Sequence, residues 1–288
     1  MLDDSSQSNG KYNTACLVPN RAGAVDAGCV ARRRHPPDGV VMDASPSRRI
    51  DLVDVLRGAA LAAMAVYHFF WDIEFFALAD LGVTSHLAWR GFAHAIAAGF
   101  LALVGVSLLL AHGRHLRRAS FLRRLAMVAA AAAVITVSSF YIDPDGAILF
   151  GILHCIALAS VLGLAFLRLP PALVLLAAFA CLAAPEFLTS PAFNAPGWLW
   201  LGLASEVRPS NDYVPLLPWF GAVLAGIAGA KLALRLRPRE RWAQWRAQAV
   251  PSRALAFLGR HSLVVYLLHQ PVLMGLVGAA AFLIGGGR

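Results

Sequence analysis

The sequence predicts an all-α, polytopic transmembrane helical bundle. Of its 288 residues, 59% are hydrophobic, and the mean hydropathy of +0.64 is too high for an ordinary soluble domain. The apolar residues form long blocks that short charged segments separate, as in helices that cross a bilayer. No stretch shows the alternation of apolar and polar residues that indicates strands. Together these observations predict a multi-pass membrane protein.

We predict about seven spans, each bounded by charged residues, proline or glycine. They cover residues 48–76, 89–110, 125–141, 148–167, 172–188, 216–236 and 255–284. The first contains several ionisable residues, and the third is rich in alanine. The fourth follows the sequence YIDPDGA, in which Pro144 and Gly146 interrupt the preceding helix. A longer segment with tryptophans and prolines precedes the sixth, and the seventh opens with LGRHSLVVYLLHQP.

Residues 1–47 differ from the rest of the chain. They are rich in Asp, Ser, Asn, Gly, Pro and Arg and contain no apolar run long enough for the core of a signal peptide. We therefore predict a disordered N-terminal arm at 1–47 and one membrane domain at 48–288. Because Met42 lies directly before the first span, we also consider that translation starts there. Native peptides upstream of Met42 would refute that hypothesis.

The basic residues predict the orientation in the membrane. Of the 25 Lys and Arg residues, 21 lie in the N-terminal arm, in the loops after the second, fourth and sixth spans, or at the ends of the spans that border these segments. Loops of this kind are cytoplasmic, so we expect a cytoplasmic N-terminus and an inner (cytoplasmic) membrane location. The same placement explains the net charge of +9 without nucleic acid as a partner. The expected partners are the lipid bilayer and, as a further candidate, a second copy of the chain.

One face of the first span carries ionisable groups. The residues that recur every three or four positions are Asp54, Arg57, Leu61, Met64, His68 and Asp72. Ionisable side chains within a membrane are candidates for function, and we expect those of this protein to line one polar chamber from the cytosol toward the far leaflet. Alternatively, Asp54 and Arg57 only neutralise each other, and His68 forms a hydrogen bond inside the bundle.

Depth in the membrane sorts the polar residues into two groups. The outer group contains His68, Asp72, His86, Asp143, His154, Asp212 and Tyr213. The inner group contains Asp51, Asp54, Arg57, Arg260, His261 and Ser262, with His269 as an additional candidate. Imidazoles beside carboxylates suit general-base chemistry. The histidines lack the HxxxH spacing of a zinc site, and the four cysteines form no CxxC motif, so we predict no metal.

Five motifs in order over residues 48–280 carry a family resemblance: IDLVDVLRGAALAAMAVYHFFWDI, FLALVGVSLLL, LFGILHCIALAS, NDYVPLLPWFGAVLAGI and LGRHSLVVYLLHQP. They resemble bacterial membrane proteins grouped with the catalytic domain of heparan-α-glucosaminide N-acetyltransferase. The resemblance implies an acyltransferase that passes an acetyl group from cytosolic acetyl-CoA to an amino sugar or related cell-envelope acceptor. It also implies a catalytic histidine in the outer loop, where HLAWRG places His86 before Trp89 and Gly91.

Residues and resemblance together suggest three sets of site residues. The catalytic candidates are His68, His86, His154 and Asp72, because a histidine would deprotonate the acceptor or carry the acyl group. The candidates for binding acetyl-CoA are Arg57, Asp54, Arg260, His261 and Ser262, whose arginines suit phosphate groups. The candidates for binding the acyl acceptor are Asp212, Tyr213, Trp219 and His269.

Two other functions are compatible with intramembrane Asp, Arg and His residues. A proton-coupled transporter or flippase of a small polar solute or lipid would use them as a relay, although no internal repeat or matched pair of broken spans supports it. A non-catalytic scaffold subunit would need Asp54, Arg57 or His68 for assembly only. Consumption of acetyl-CoA separates the acyltransferase from both.

Overall fold

The computed structural model describes residues 50–207 and 210–285; the N-terminal arm and Met42 lie outside this part of the chain. The described residues are mostly helical and form no strand beyond an isolated bridge between Ser190 and Ala204, so the all-α prediction is confirmed. The α-helices are α1 (Asp51–Phe75), α2 (Leu87–His112), α3 (Arg118–Ile142), α4 (Ile152–Gly163), α5 (Pro171–Leu188), α6 (Leu216–Leu236), α7 (Arg239–Gln244), α8 (Val250–Arg260) and α9 (Ser262–Gly285).

Six of these helices, α1, α2, α3, α5, α6 and α9, are long and apolar enough to cross a membrane. They confirm the polytopic bundle, but two predicted spans differ. In place of a span over 148–167 the protein has α4 and a 3-10 turn, Leu164–Phe166. Together these form a helical segment of about 22 Å, which is shorter than the hydrocarbon core. The predicted seventh span is divided, because His261 separates α8 from α9.

The core of the bundle forms around α6, which packs against α2, α4 and α5. In the most apolar 18-residue stretch of α6, half of the residues are buried inside the protein, compared with 6% in the corresponding stretch of α9. The fully buried side chains of α6 include Val223, Leu224 and Ile227. On the other side of α2, α1 packs against α2, α8 and α9, while α3 packs on α4. The peripheral helices expose large apolar side chains, as lipid-facing surfaces of a membrane bundle do.

Glycines let α1 and α8 approach each other closely. A Cβ atom on Gly58 would lie 1.9 Å from the Leu255 carbonyl oxygen, and one on Gly259 would lie 1.8 Å from the Asp54 carbonyl oxygen. Neither position accepts a side chain without moving a helix. This contact brings the backbone of α8 to the ionisable face of α1.

One end of the bundle, here called the basic end, comprises the start of α1, the end of α2, the start of α3, the end of α6, and α7 and α8. Charged side chains tie these elements together. Arg246 forms an ion pair with Asp51 at 3.2 Å, and Arg239 donates to the Leu110 carbonyl oxygen at 3.2 Å. Lys231 of α6 donates to the carbonyl oxygens of Phe166 and Leu169. Three basic side chains therefore also hold helix ends in place.

Candidate functional site

The ionisable face predicted for α1 points into the protein. Leu61 is 1% exposed and Asp72 0%, and Asp54 and Arg57 are largely buried. Between Arg57 and His68 this face carries Leu61 and Met64, both part of the hydrophobic core. The expected polar chamber is therefore interrupted along α1 by two apolar side chains. The polar residues form one group at the basic end and another toward the opposite end.

The polar group toward the opposite end lies where α1 meets α9 and consists of His68, Asp72, His269 and Gln270. We call it the α1–α9 cluster. The His68 and His269 ring centroids are 5.1 Å apart, and Gln270 Nε2 donates to Asp72 Oδ1 at 2.9 Å. The sequence suggests His269 as an additional candidate for the inner group, whereas this contact places it beside His68. The pairing joins residues about 200 positions apart in the chain, so helix packing alone brings them together.

Each side chain of the α1–α9 cluster has a buried polar atom without a hydrogen-bond partner. These atoms are His68 Nδ1, Asp72 Oδ2, His269 Nε2 and Gln270 Oε1, and they are four of the five such side-chain atoms in the described residues. Leaving one buried polar atom unsatisfied costs on the order of 1–3 kcal/mol. Such a concentration is typical of a place that receives water or a polar ligand.

The hydrogen bonds within the α1–α9 cluster define the chemistry of its free atoms. His269 Nδ1 lies 2.6 Å from the Tyr266 carbonyl oxygen, which can only accept, so Nδ1 carries the proton and Nε2 of the neutral ring accepts. The Gln270 amide group donates to Asp72, which leaves Gln270 Oε1 and Asp72 Oδ2 as acceptors. At least three of the four free atoms therefore call for a ligand with N–H or O–H donors.

Tyr266 connects the α1–α9 cluster to Asp212. Its ring centroid lies 5.6 Å from that of His269, and its hydroxyl group donates to the Asp212 carboxylate. Asp212 Oδ2 also accepts the backbone N–H of Ile152 at 3.0 Å, at the first residue of α4. Burial raises the pKa of Asp212, and the hydrogen bonds from Ile152 and Tyr266 oppose that shift. Asp212 thus caps the N-terminus of α4, where a negative charge is favourable.

Replacing Asp212 with alanine should destabilise the protein by about 1–2 kcal/mol, because α4 loses its cap. Asp212→Asn should lose less, since its amide oxygen still accepts from Ile152. Thermal unfolding of the purified variants in detergent measures both effects. If Asp212 instead binds the acyl acceptor, as the sequence predicts, Asp212→Asn would keep its stability and raise the KM for the acceptor.

His154 is held by hydrogen bonds at both ring nitrogens. Its Nδ1 accepts the Gly151 N–H at 3.2 Å. Thr136 donates its hydroxyl proton to the Ile148 carbonyl oxygen, so the 3.3 Å contact between Thr136 Oγ1 and His154 Nε2 requires that Nε2 carries the proton. His154 therefore satisfies the backbone N–H of Gly151, the residue directly before α4. This arrangement leaves no ring nitrogen free to take a proton from a substrate.

His86 and the two aromatic candidates lie outside the α1–α9 cluster. His86 is exposed at the start of α2, with its ring against Gly82, whose φ of +58° favours glycine. The nearby Trp89 packs on Tyr67 and Phe70 of α1, which places His86 at the same end of the bundle as the C-terminal half of α1. The two aromatic candidates, Tyr213 and Trp219, contact other parts of the protein. Tyr213 donates to the Leu199 carbonyl oxygen at 2.7 Å, and Trp219 packs on His94.

The group at the basic end is organised by Arg57. Its Nη1 donates to Asp54 Oδ1 at 3.1 Å and to the Gly259 carbonyl oxygen at 3.3 Å, and Nη2 donates to Ser107 Oγ at 2.7 Å. The guanidinium group thus links α1, α2 and α8.

The other predicted acetyl-CoA ligands directly follow Gly259, whose carbonyl oxygen accepts from Arg57. None of them is hydrogen-bonded to Arg57 in the described residues. Arg260 and His261 are exposed at the end of α8, and the His261 ring packs on Phe257 with a centroid distance of 4.4 Å. Ser262 is half-buried at the start of α9. These three residues are therefore the part of the predicted donor set that remains accessible at the basic end.

Tyr266 and Gln270 were not among the predicted site residues. A signal for them exists in the sequence: both are polar within an apolar span, and they lie four positions apart, on one face of α9 with His269. No group of three or more His, Cys, Asp or Glu side chains suited to a metal ion occurs in the part of the chain that the structure describes.

The family model described as "Heparan-alpha-glucosaminide N-acetyltransferase, catalytic" matches residues 49–271, more than three quarters of the chain. The matched region includes all four residues of the α1–α9 cluster and Arg57. No curated protein and no solved structure matches the chain significantly.

Proposed function

Because the chain belongs to the family of heparan-alpha-glucosaminide N-acetyltransferase catalytic domains, we propose that it transfers an acetyl group from acetyl-CoA to an amine of an amino sugar or another cell-envelope acceptor. Its family and its membrane helices make it a membrane acetyltransferase-like protein. The observation that carries the proposal is the set of unpartnered polar atoms in the α1–α9 cluster, because an acyl transfer site must hold a polar acceptor away from the lipid.

The free atoms of the α1–α9 cluster suit an amine as acceptor. An ammonium group offers three N–H donors, and Asp72 Oδ2, His269 Nε2 and Gln270 Oε1 are hydrogen-bond acceptors. The buried carboxylate of Asp72 would also offset the positive charge. A sugar hydroxyl brings only one donor and no charge, so this group of atoms favours the amine.

In the proposed reaction His68 acts as the general base. Its Nδ1 is free, and it takes a proton from the ammonium form of the acceptor so that the nitrogen lone pair can attack the thioester carbonyl carbon. A C–N bond forms and the C–S bond breaks. The electron pair of the broken bond leaves with the sulfur of CoA. The surplus proton of the amide nitrogen passes to this thiolate, and the proton held by His68 is released to solvent, which returns the histidine to its neutral form.

Acetyl-CoA is a substrate that would enter from the basic end. If this end faces the cytosol, as the distribution of Lys and Arg predicts, the phosphates of CoA would meet exposed cationic groups such as Arg260. Arg57 already donates to three protein groups and would act mainly by its charge. From Arg57 to His68 the axis of α1 rises about 16 Å, a length that an extended pantetheine arm can span.

Purified protein in proteoliposomes tests the proposal. With acetyl-CoA supplied on the side of the basic end, we expect release of the CoA thiol and an N-acetylated product with glucosamine but not with glucose, which lacks the amine. Failure to consume acetyl-CoA with a panel of amino sugars and other amines would contradict the proposal. Movement of a solute across the membrane without acetyl-CoA would favour the transporter.

A further inference from the structure

A separate recess lies between α2, α3 and α4, near the basic end; we call it the α2–α4 recess. Three polar side chains, His112, Arg124 and Ser160, line it. The remaining lining is apolar and consists of Val104, Leu108, Phe121, Leu125, Val128, Ile156 and Ala157. The recess therefore combines a small polar region with a larger apolar lining. None of its residues belongs to the α1–α9 cluster.

The buried ring of His112 indicates that the α2–α4 recess is a binding site. The residue is 8% exposed, and its Nδ1 is the fifth of the buried side-chain atoms without a hydrogen-bond partner in the described residues. The ring packs edge-on against Phe121 at a centroid distance of 5.6 Å. A buried ring nitrogen without a partner is costly unless a ligand or water supplies the hydrogen bond.

The charge around the α2–α4 recess is positive and has no counter-charge within the lining helices. Arg124 forms no ion pair or side-chain hydrogen bond in the described residues. Arg117 and Arg124 both place positive charge beside His112, and Arg57 is close enough to Arg124 for their charges to repel. Helices α2, α3 and α4 contain no Asp or Glu. An anion is therefore favoured in the recess, and a cationic group is not.

We infer that the α2–α4 recess binds the phosphate ester of an amphiphile, specifically the headgroup of an anionic phospholipid from the surrounding leaflet. Arg124 lines the recess but is exposed, so a lipid can reach it, and its planar guanidinium group suits bidentate donation to phosphate. His112 supplies a further donor, and the apolar lining residues offer contacts to the first methylene groups of an acyl chain that lies against the mouth of the recess. Without a carboxylate to pair with choline, the recess should prefer phosphatidylglycerol to phosphatidylcholine.

Equilibrium binding of tail-labelled phosphatidylglycerol to the purified full-length protein in neutral detergent tests this inference. We expect Arg124→Gln to weaken binding about tenfold, as loss of a charge-assisted hydrogen bond does. The matched control Arg123→Gln changes the neighbouring arginine of α3, which does not line the recess, and should change binding less than twofold. His112→Phe keeps a ring against Phe121, removes Nδ1 and should weaken binding several-fold, so the test does not depend on the folding of one variant.

Three results would overturn the inference. Equal losses of lipid affinity in Arg123→Gln and Arg124→Gln would show that the lipid binds the basic surface in general and not the recess. Equal affinity for phosphatidylcholine would contradict the selectivity for an anionic headgroup. Displacement of the labelled lipid by inorganic phosphate or by CoA at similar concentrations would identify a soluble phosphate as the ligand instead of a lipid.

Discussion

Replacing His68 with alanine should lower the rate of acetyl transfer by about two to four orders of magnitude, the usual contribution of a general base. The bundle should stay folded, because His68 Nδ1 makes no hydrogen bond that the substitution would break. Release of the CoA thiol in proteoliposomes measures the rate. Asp72→Asn should instead act mainly on binding and raise the KM for the amine, because it removes the charge that faces the ammonium group.

His94→Ala is the matched control for His68→Ala. His94 is also a histidine within a span, but it is exposed and packs on Trp219, away from the α1–α9 cluster. We expect this variant to keep its rate within about twofold, since it removes no group of the proposed reaction. A wild-type rate in His68→Ala would refute the role of His68. Loss of activity in His86→Ala alone would move the chemistry to the outer loop, as the family resemblance implies.

Replacing Arg57 with methionine should destabilise the protein by about 3 kcal/mol. The side chains of Arg57 and Asp54 are only 17% and 14% exposed, so the substitution leaves a largely buried carboxylate without its counter-charge. It also removes the hydrogen bonds that hold Ser107 and the Gly259 carbonyl oxygen to α1. Unfolding of the purified variant in mixed micelles of increasing SDS content measures this loss.

Two further variants separate structural and substrate-binding roles of Arg57. The double substitution Arg57→Met with Asp54→Leu should recover part of the lost stability, because no unpaired charge remains. Arg90→Met, at an exposed arginine of α2, should leave stability unchanged within about 0.5 kcal/mol. If Arg57 serves mainly to bind acetyl-CoA, Arg57→Met would be as stable as the wild type and would raise the KM for acetyl-CoA.

Much of the fold was predictable because membrane insertion depends on local properties. Long apolar blocks indicate helices that cross a bilayer, and the helical period placed Leu61, Met64 and Asp72 on the buried face of α1. Apolarity alone did not show that the fourth block forms a helix too short to span. Nor did it show that α8 ends at Arg260 and a new helix begins two residues later.

For the candidate site, the sequence predicted how deep the residues lie in the membrane but not which residues they contact. The sequence by itself determined the family, most of the spans and the ionisable face of α1, because each depends on residues close together in the chain. Only the tertiary structure decided that His68 meets His269, that Gln270 donates to Asp72, and that hydrogen bonds at the start of α4 engage His154. The physical reason is that depth gives one coordinate of a residue in the membrane, whereas its neighbours depend on how whole helices pack side by side.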